Sequence, residues 1–540
     1  MPLAPFQEKA YFELAEVFKE KPICLLHGVT GSGKTRIYQE LIDTVIKEGG
    51  QVLYLLPEIS LSTQMESRLN STYGDQMLAY HSRVNPKKKV EIWQAVYSGH
   101  PLILAARSGV FLPFKNLQLI IVDEEHDASF KQAEPSPYYN ARDISIYLSH
   151  LTNVRVLLGS ATPSLETYYH AKNGRYGYVA LHERFGGATL PEVKLIDLRT
   201  AQQSGKMVSV FSQELLQEIE RTWLKKQKII LFQNRRGFAP VYQCGVCQWK
   251  AECKYCDISL THHKHNNSLK CHYCNYTTPL PAECPKCGAR SLELKGFGTE
   301  KIEDELHVFF PDMIVKRFDA DSTSSGNNLT QILDAFANDE IDVLVGTQMV
   351  TKGLDFDNVG LVGVLAADAM MYYPDFRAME RTFQLLVQVA GRAGRRKTNG
   401  LVFLQTYQPD NLLLKDIAQM NLYSFYEREM EERRKYAYPP FTKLIKVTVR
   451  HKDPKQMHEA VDYMANALKK SFGNRIIGPA IPPVGRIKSY YQSQILIKLE
   501  RENAVLNLVK NQLWTIKETI VKMKGKSTTR FVIDVDPYYS

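Results

Sequence analysis

Gly28-Val29-Thr30-Gly31-Ser32-Gly33-Lys34-Thr35 decides the fold. The spacing G-x-x-x-x-G-K-[ST] turns backbone N–H groups inward around phosphates at a helix N-terminus. Gly28, Thr30, Gly31, Ser32 and Gly33 would form the cradle, Lys34 would reach the β/γ-phosphates of ATP, and Thr35 would ligate Mg²⁺. The flanks fit this better than an ordinary glycine turn. An apolar run, Ile23 to Leu26, leads in, and Ile37, Tyr38, Leu41, Ile42, Val45 and Ile46 follow on one helical face. Strand, loop and helix in that order begin an α/β nucleotide-binding sheet.

Outward from the loop, Val52–Leu56, Leu117–Val122 and Arg155–Leu158 read as further strands. Continuously apolar strands alternating with helices predict a parallel sheet covered on both faces. The pattern returns at Lys228–Phe232, Ile314–Arg317, Val343–Val345, Leu361–Leu365 and Val402–Gln405, predicting a second α/β lobe. Asp123-Glu124-Glu125-His126 ends an apolar strand, where such sheets bind ligands. Asp123 suits Mg²⁺, held through water, and Glu124 suits orienting and deprotonating an attacking water. On the second lobe, Gln388-Val389-Ala390-Gly391-Arg392-Ala393-Gly394-Arg395 sets two arginines three apart. Guanidinium groups match the charge that develops on a transferring phosphoryl group. Arginines facing a phosphate loop from another lobe would make ATP a clamp and couple hydrolysis to domain motion.

The length of 540 residues predicts three or four domains. At 44% apolar and 23% charged, the chain is neither disordered nor collagenous. No apolar run approaches the ~18 residues of a membrane span. Met1 to Pro5 starts no signal peptide pattern. A soluble cytoplasmic protein is expected. The net charge of +10 tolerates a polyanion without demanding one.

Eight of the nine cysteines form four CxxC pairs: Cys244/Cys247, Cys253/Cys256, Cys271/Cys274 and Cys284/Cys287. Each pair can grip one side of a tetrahedral ion, so eight thiols predict two closed, structural Zn²⁺ sites. Two iron–sulfur clusters are the alternative. Pairing can be consecutive or nested; nesting, 244/247/284/287 around 253/256/271/274, is preferred because it closes both neck and tip of the insertion. His262, His263, His265 and His272 read as surface residues, and Cys24 as core. The metallated stretch would be nearly neutral, a poor clamp for phosphates. It suits a docking surface or a strand-separating wedge better.

After Tyr436–Pro440 the pattern changes. A strand through Ile445, Val447 and Val449, helices at about 455–470 and 503–522, and strands near 485–489, 494–499 and 530–535 give β-α-β-β-α-β, a ferredoxin-like order. The expected organisation is lobe 1 at 1–180, lobe 2 at 181–240 and 292–435, the cysteine-rich insertion at 241–291, and a C-terminal α+β domain at 436–540.

DEEH, Gly159-Ser160-Ala161-Thr162 and QVAGRAGR, following GVTGSGKT, resemble superfamily 2 helicases. More narrowly, the chain resembles the PriA family of replication-restart helicases. LLHGVTGSGKT (25–35), LPEISLSTQ (56–64), RSGVFLPF (107–114), DEEHDASFKQ (123–132), GSATPS (159–164), NRRGF (234–238), GTQMVTKGLDF (346–356) and the cysteine block carry the resemblance. It covers almost the whole chain and implies two RecA-like lobes. It further implies ATP-dependent 3′–5′ movement on single-stranded and forked DNA. Primosome proteins, single-stranded-DNA-binding protein and helicase-loading factors are the implied partners of a monomer.

Residue by residue, Gln7 would read adenine, Gly159 to Thr162 would link ATP state to DNA grip, and Gly353 and Asp355 would line the nucleotide cleft. Leu56–Gln64 and the aromatics Phe130, Tyr138 and Tyr139 would face the strand. The resemblance also implies nested zinc pairing. Family members carry a 3′-end-binding domain and a winged-helix domain ahead of the helicase pattern, which here starts at once. A shortened member and a chain that begins inside a longer one both remain open. An RNA helicase or duplex translocase of the same superfamily, and a mainly structural primosome assembly platform, are the competing readings.

Overall fold

The strand Ile23–Gly28 lies between Arg155–Ser160 and Gly177–Leu181 in a seven-stranded parallel sheet. The full order of the sheet is Met77–Tyr80, Leu102–Ala105, Gln51–Leu55, Leu117–Asp123, Arg155–Ser160, Ile23–Gly28, Gly177–Leu181. This is a computed structural model, which describes residues 2–57, 63–187, 190–233, 241–263, 267–295, 298–319, 326–347, 356–394 and 400–538. The central strands are buried on both faces, as their unbroken apolar runs require. Helix Lys34–Lys47 covers one face through Ile37, Tyr38, Leu41, Ile42 and Val45. Met77–Tyr80, Leu102–Ala105 and Gly177–Leu181 are strands the sequence reading did not single out; each is four or five residues long.

The second lobe is a six-stranded parallel sheet in the order Val315–Phe318, Val343–Gly346, Lys228–Phe232, Val359–Val364, Leu401–Thr406, Glu192–Asp197. All five expected strands are present, some shifted by a residue or two at their ends, and Glu192–Asp197 is added at the edge. Both lobes fall in one compact unit, Met1–Asn234 with Thr299–Arg428.

The other unit joins Arg235–Gly298 to Glu429–Ser540. Its cysteine-rich part is a five-stranded antiparallel sheet in which Val241–Cys244 pairs with Leu292–Lys295 at the neck. The C-terminal part has an antiparallel sheet in the order Ile476–Ala480, Tyr490–Leu499, Lys443–His451, Arg530–Val535. Helices Pro454–Phe472 and Asn503–Lys522 share its core. The β-α-β-β-α-β order holds, but the strand expected near 485–489 is only Arg486–Ile487. The full second strand is Ile476–Ala480, whose Gly478-Pro479 reads as a breaker in sequence. A proline is tolerated there because the strand lies at the sheet edge and bulges between Ile477 and Ala480. No helix among the described residues is long and apolar enough to cross a membrane.

Candidate nucleotide site and metal centres

Three adjacent strands deliver three motifs to one end of the first sheet. Register pairs Asp123 with Gly159, and Gly159 with Leu26, so DEEH, GSAT and the phosphate loop stand side by side. Within the loop, Gly31 and Gly33 take φ of +79° and +77°, left-handed values that favour glycine. Lys34 Nζ donates to the Gly28 carbonyl at 2.8 Å. Ser32 Oγ is buried with no hydrogen-bond partner among the described residues, an acceptor-and-donor left over inside a loop shaped for phosphate. The loop therefore fits a nucleotide phosphate. Gln7 is buried; its Nε2 donates to the Ser32 carbonyl at 3.0 Å, and its Oε1 accepts from Ala4 N. This ties the N-terminal helix to the phosphate loop.

Asp123 is buried beneath two tyrosines. Tyr38 Oη donates to Oδ1 at 3.0 Å and Tyr54 Oη to Oδ2 at 3.3 Å. Burial, and then the neighbouring Glu124, push its carboxyl up to about 6. Gly159 is required beside it, since a Cβ there would lie 1.8 Å from Tyr38 Oη. Glu124 has φ of +51°, a left-handed conformation that costs a non-glycine residue energy and aims its side chain out of the strand line.

The lobes meet at these residues. Gln388 Nε2 lies 3.1 Å from Glu124 Oε2 and 2.9 Å from His126 Nε2. His126 Nδ1 reaches Ser160 Oγ at 2.8 Å, and Thr162 N donates to the same oxygen. Glu125 accepts from Ser164 N at 2.6 Å, Thr167 Oγ1 at 2.9 Å and Arg142 at 3.0 Å. DEEH and GSATPS are thus one hydrogen-bonded body. Glu380 of lobe 2 caps that body by accepting from Leu165 N at 2.8 Å, and Arg377 pairs with Glu166. Arg184, just past the first sheet, donates to Thr30 Oγ1 at 3.1 Å and to the Gly394 carbonyl at 3.3 Å.

Gly391 presses on the phosphate loop, where a Cβ would meet Thr30 Oγ1 at 2.5 Å. This brings the turn at 391–394, with half-buried Arg392, against the loop. Thr35 is half-buried at the start of its helix. Arg395, Gly353 and Asp355 lie outside the described residues, as do NRRGF and most of LPEISLSTQ and GTQMVTKGLDF. Glu125, His126, Gln388 and Glu380 were not assigned roles from sequence. Their only signal was position inside or beside a motif. The expected DNA-facing aromatics divide differently. Phe130 is buried in the first lobe's core, and Tyr139 packs edge-on against Phe111 at 4.8 Å. Phe130 belongs to packing, because the 3₁₀ turn Ala128–Phe130 points its ring inward, whereas Tyr138 and Tyr139 are half-buried.

The cysteines form two groups, Cys244/Cys247/Cys284/Cys287 and Cys253/Cys256/Cys271/Cys274. The pairing is nested. Sulfurs stand 3.7 Å apart for Cys244–Cys287, 3.6 Å for Cys247–Cys284 and 3.5 Å for Cys253–Cys274. Tetrahedral Zn–S bonds of ~2.3 Å put sulfurs about 3.8 Å apart, whereas a disulfide needs ~2.05 Å. The sets fit zinc. His272 is exposed, His262 is half-buried beside Asn267, and neither enters a group.

Comparison with known proteins agrees with this architecture. The DEAD/DEAH box helicase model matches residues 4–170 and the helicase conserved C-terminal domain model matches 299–397. The PriA DNA helicase Cys-rich region model matches 253–279, and the primosomal protein N C-terminal domain model matches 434–538. Replication restart protein PriA of Bacillus subtilis is 39% identical over 543 residues, covering 100% of this chain and 67% of the relative. That of Chlamydia pneumoniae is 37% identical, covering 95% and 68%. That of Synechocystis is 38% identical, covering 88% of this chain and 58% of the relative. With two RecA-like lobes, two four-cysteine groups and this extent of identity, the chain belongs to the PriA family of replication restart proteins.

Proposed function

We propose that the chain is an ATP-driven motor that moves 3′ to 5′ along single-stranded DNA at stalled or branched forks and helps rebuild the primosome there. The observation that supports this best is the meeting of Glu124, at the end of a lobe 1 strand, with Gln388 of lobe 2. Lys34 would neutralise phosphate charge, and Thr35 and Asp123 would hold Mg²⁺, which would supply charge stabilisation at the phosphates. Glu124 orients and deprotonates the attacking water. Arg392 and Arg395 approach from lobe 2 to balance charge on the phosphoryl oxygens. Gln7, Gly353 and Asp355 complete the nucleotide cleft. ATP, when bound, supplies the phosphoryl group whose transfer to water releases the driving free energy.

The coupling follows from the contacts. Gln388 and Glu380 touch the same rigid body that carries Glu124 and Thr162, so lobe opening must break those bonds together. That makes motif state and lobe separation one variable, which is what a stepping motor needs. Single-stranded and forked DNA, single-stranded-DNA-binding protein, helicase-loading factors and other primosome proteins are the partners in this reading. The chain works as a monomer in the cytoplasm.

The test is ATP hydrolysis by the purified chain without polymer, with single-stranded DNA, with forked DNA and with matched RNA. Stimulation by DNA but not RNA, lost in Lys34→Ala, is expected. Stimulation by RNA would favour an RNA helicase, and no stimulation by any polymer would favour an assembly platform.

A further inference from the structure

The outer group of cysteines is closed by local hydrogen bonds; for example, Cys247 N donates to Cys244 Sγ at 3.5 Å. The inner group also has one, from Tyr255 N to Cys253 Sγ at 3.4 Å. Cys256 is different. Its Sγ accepts from Lys488 N at 3.3 Å, a donor 232 residues away in the C-terminal domain. Lys488 and Ser489 form a tight turn between Arg486–Ile487 and Tyr490–Leu499, with φ of +50° and +64°. The turn thrusts the Lys488 amide toward the cysteine.

Further contacts hold the turn in place. Ser489 N donates to the Tyr255 carbonyl at 2.9 Å, and Asp257 N donates to the Arg486 carbonyl at 3.0 Å. Ile487 packs on the small core of Ala251, Cys253, Cys256, Leu260, Leu269 and Cys271. Arg486 Nε pairs with Asp257 at 2.9 Å, but both side chains are partly exposed, so this pair adds little. The backbone bonds and Ile487 therefore do most of the holding. Tyr255 and Asp257 meet Ser489 and Arg486 backbone to backbone, on either side of the Lys488 N–H that reaches the Cys256 sulfur.

We infer that the C-terminal domain completes the inner metal site: the Lys488 N–H is an outer hydrogen bond to a zinc-ligating sulfur, so metal occupancy and docking of the 485–491 turn are one coupled event. A hydrogen bond to a ligand orients it and tunes its donor strength, and losing such a partner costs about 10- to 100-fold in metal affinity. By reciprocity, losing the metal frees Cys256 and loosens the turn. The inference needs only the zinc sites and does not depend on the motor reading.

The full chain is loaded with zinc, or with ¹¹³Cd to give one resonance per four-cysteine site. In Ile487→Asp, which puts a charge into the shared core, one ion is expected to leave a chelator challenge about 10- to 100-fold faster. The other ion should leave at the wild-type rate, and one ¹¹³Cd resonance should shift while the other stays. Equal release of both ions at wild-type rates, or two unshifted resonances, would overturn the inference. Should that variant fail to fold, hydrogen exchange on the wild-type chain decides. Chelation should deprotect amides 485–491 and leave helix Pro454–Phe472 protected; unchanged protection at 485–491 would overturn the inference.

Discussion

Gln388 Nε2 donates to Glu124 Oε2 at 3.1 Å, joining residues 264 positions apart on opposite lobes. The same amide touches His126, so one lobe 2 side chain holds the second and fourth residues of the acidic motif. Gln388→Ala should lower DNA-stimulated kcat by about tenfold or more, as removal of a preorganised polar contact does. Nucleotide Kd should stay within about threefold. Glu124→Gln should lower kcat by about 10²- to 10⁴-fold if it is the base. Steady-state hydrolysis with a fluorescent-nucleotide titration separates the two effects.

Burial, and then the neighbouring Glu124, push the Asp123 carboxyl up to about 6. An unfolded aspartate titrates near ~3.9. The native carboxyl therefore takes up a proton first as pH falls, and its contribution to stability is greatest below about 4 and lost as pH rises through about 6. Asp123→Asn should raise Tm at pH 7.5 and lose that advantage at pH 4, read by thermal melts. Binding Mg²⁺ needs the carboxylate, so Mg–nucleotide affinity should fall below about pH 6 with proton release, seen by calorimetry in buffers of different ionisation enthalpy.

Gly159→Ala would set a methyl group 1.8 Å from Tyr38 Oη. Overpacking of this kind costs about 1–3 kcal/mol. It also displaces a hydroxyl that serves Asp123. Tyr38→Phe in the same chain should restore part of the lost Tm. A double-mutant cycle by denaturant melting gives the coupling, and simple additivity would show that the two residues do not clash.

Nested zinc pairing has a stoichiometric signature. Cys244→Ser with Cys284→Ser should remove one of two ions, because both serve one group. Cys244→Ser with Cys253→Ser should remove both. Consecutive pairing gives the opposite result. Elemental analysis of the purified chains is sufficient.

Much was legible in the chain before any fold was seen. Phosphate-loop spacing, a strand ending in Asp123-Glu124 and four CxxC pairs each encode chemistry in a few consecutive residues, because the ligand is gripped by one turn of backbone. Parallel sheets were visible as unbroken apolar strands. The short strands Met77–Tyr80 and Leu102–Ala105 were not, since so few residues carry no period. Ile476–Ala480 was hidden by Gly478-Pro479, which only an edge position makes tolerable.

Sequence by itself determined the α/β class, the residues able to handle phosphate, and the number of metal-binding cysteines, all of which are local properties. Tertiary structure decided which distant residues serve them. It sent Gln388 to Glu124 and His126, packed Tyr38 over Asp123, buried Phe130 in the core, and brought Lys488 to Cys256. Those pairings depend on register between strands and on the meeting of separate domains. A hydrogen bond across hundreds of residues leaves no spacing to read, because the distance that matters is through space and not along the chain.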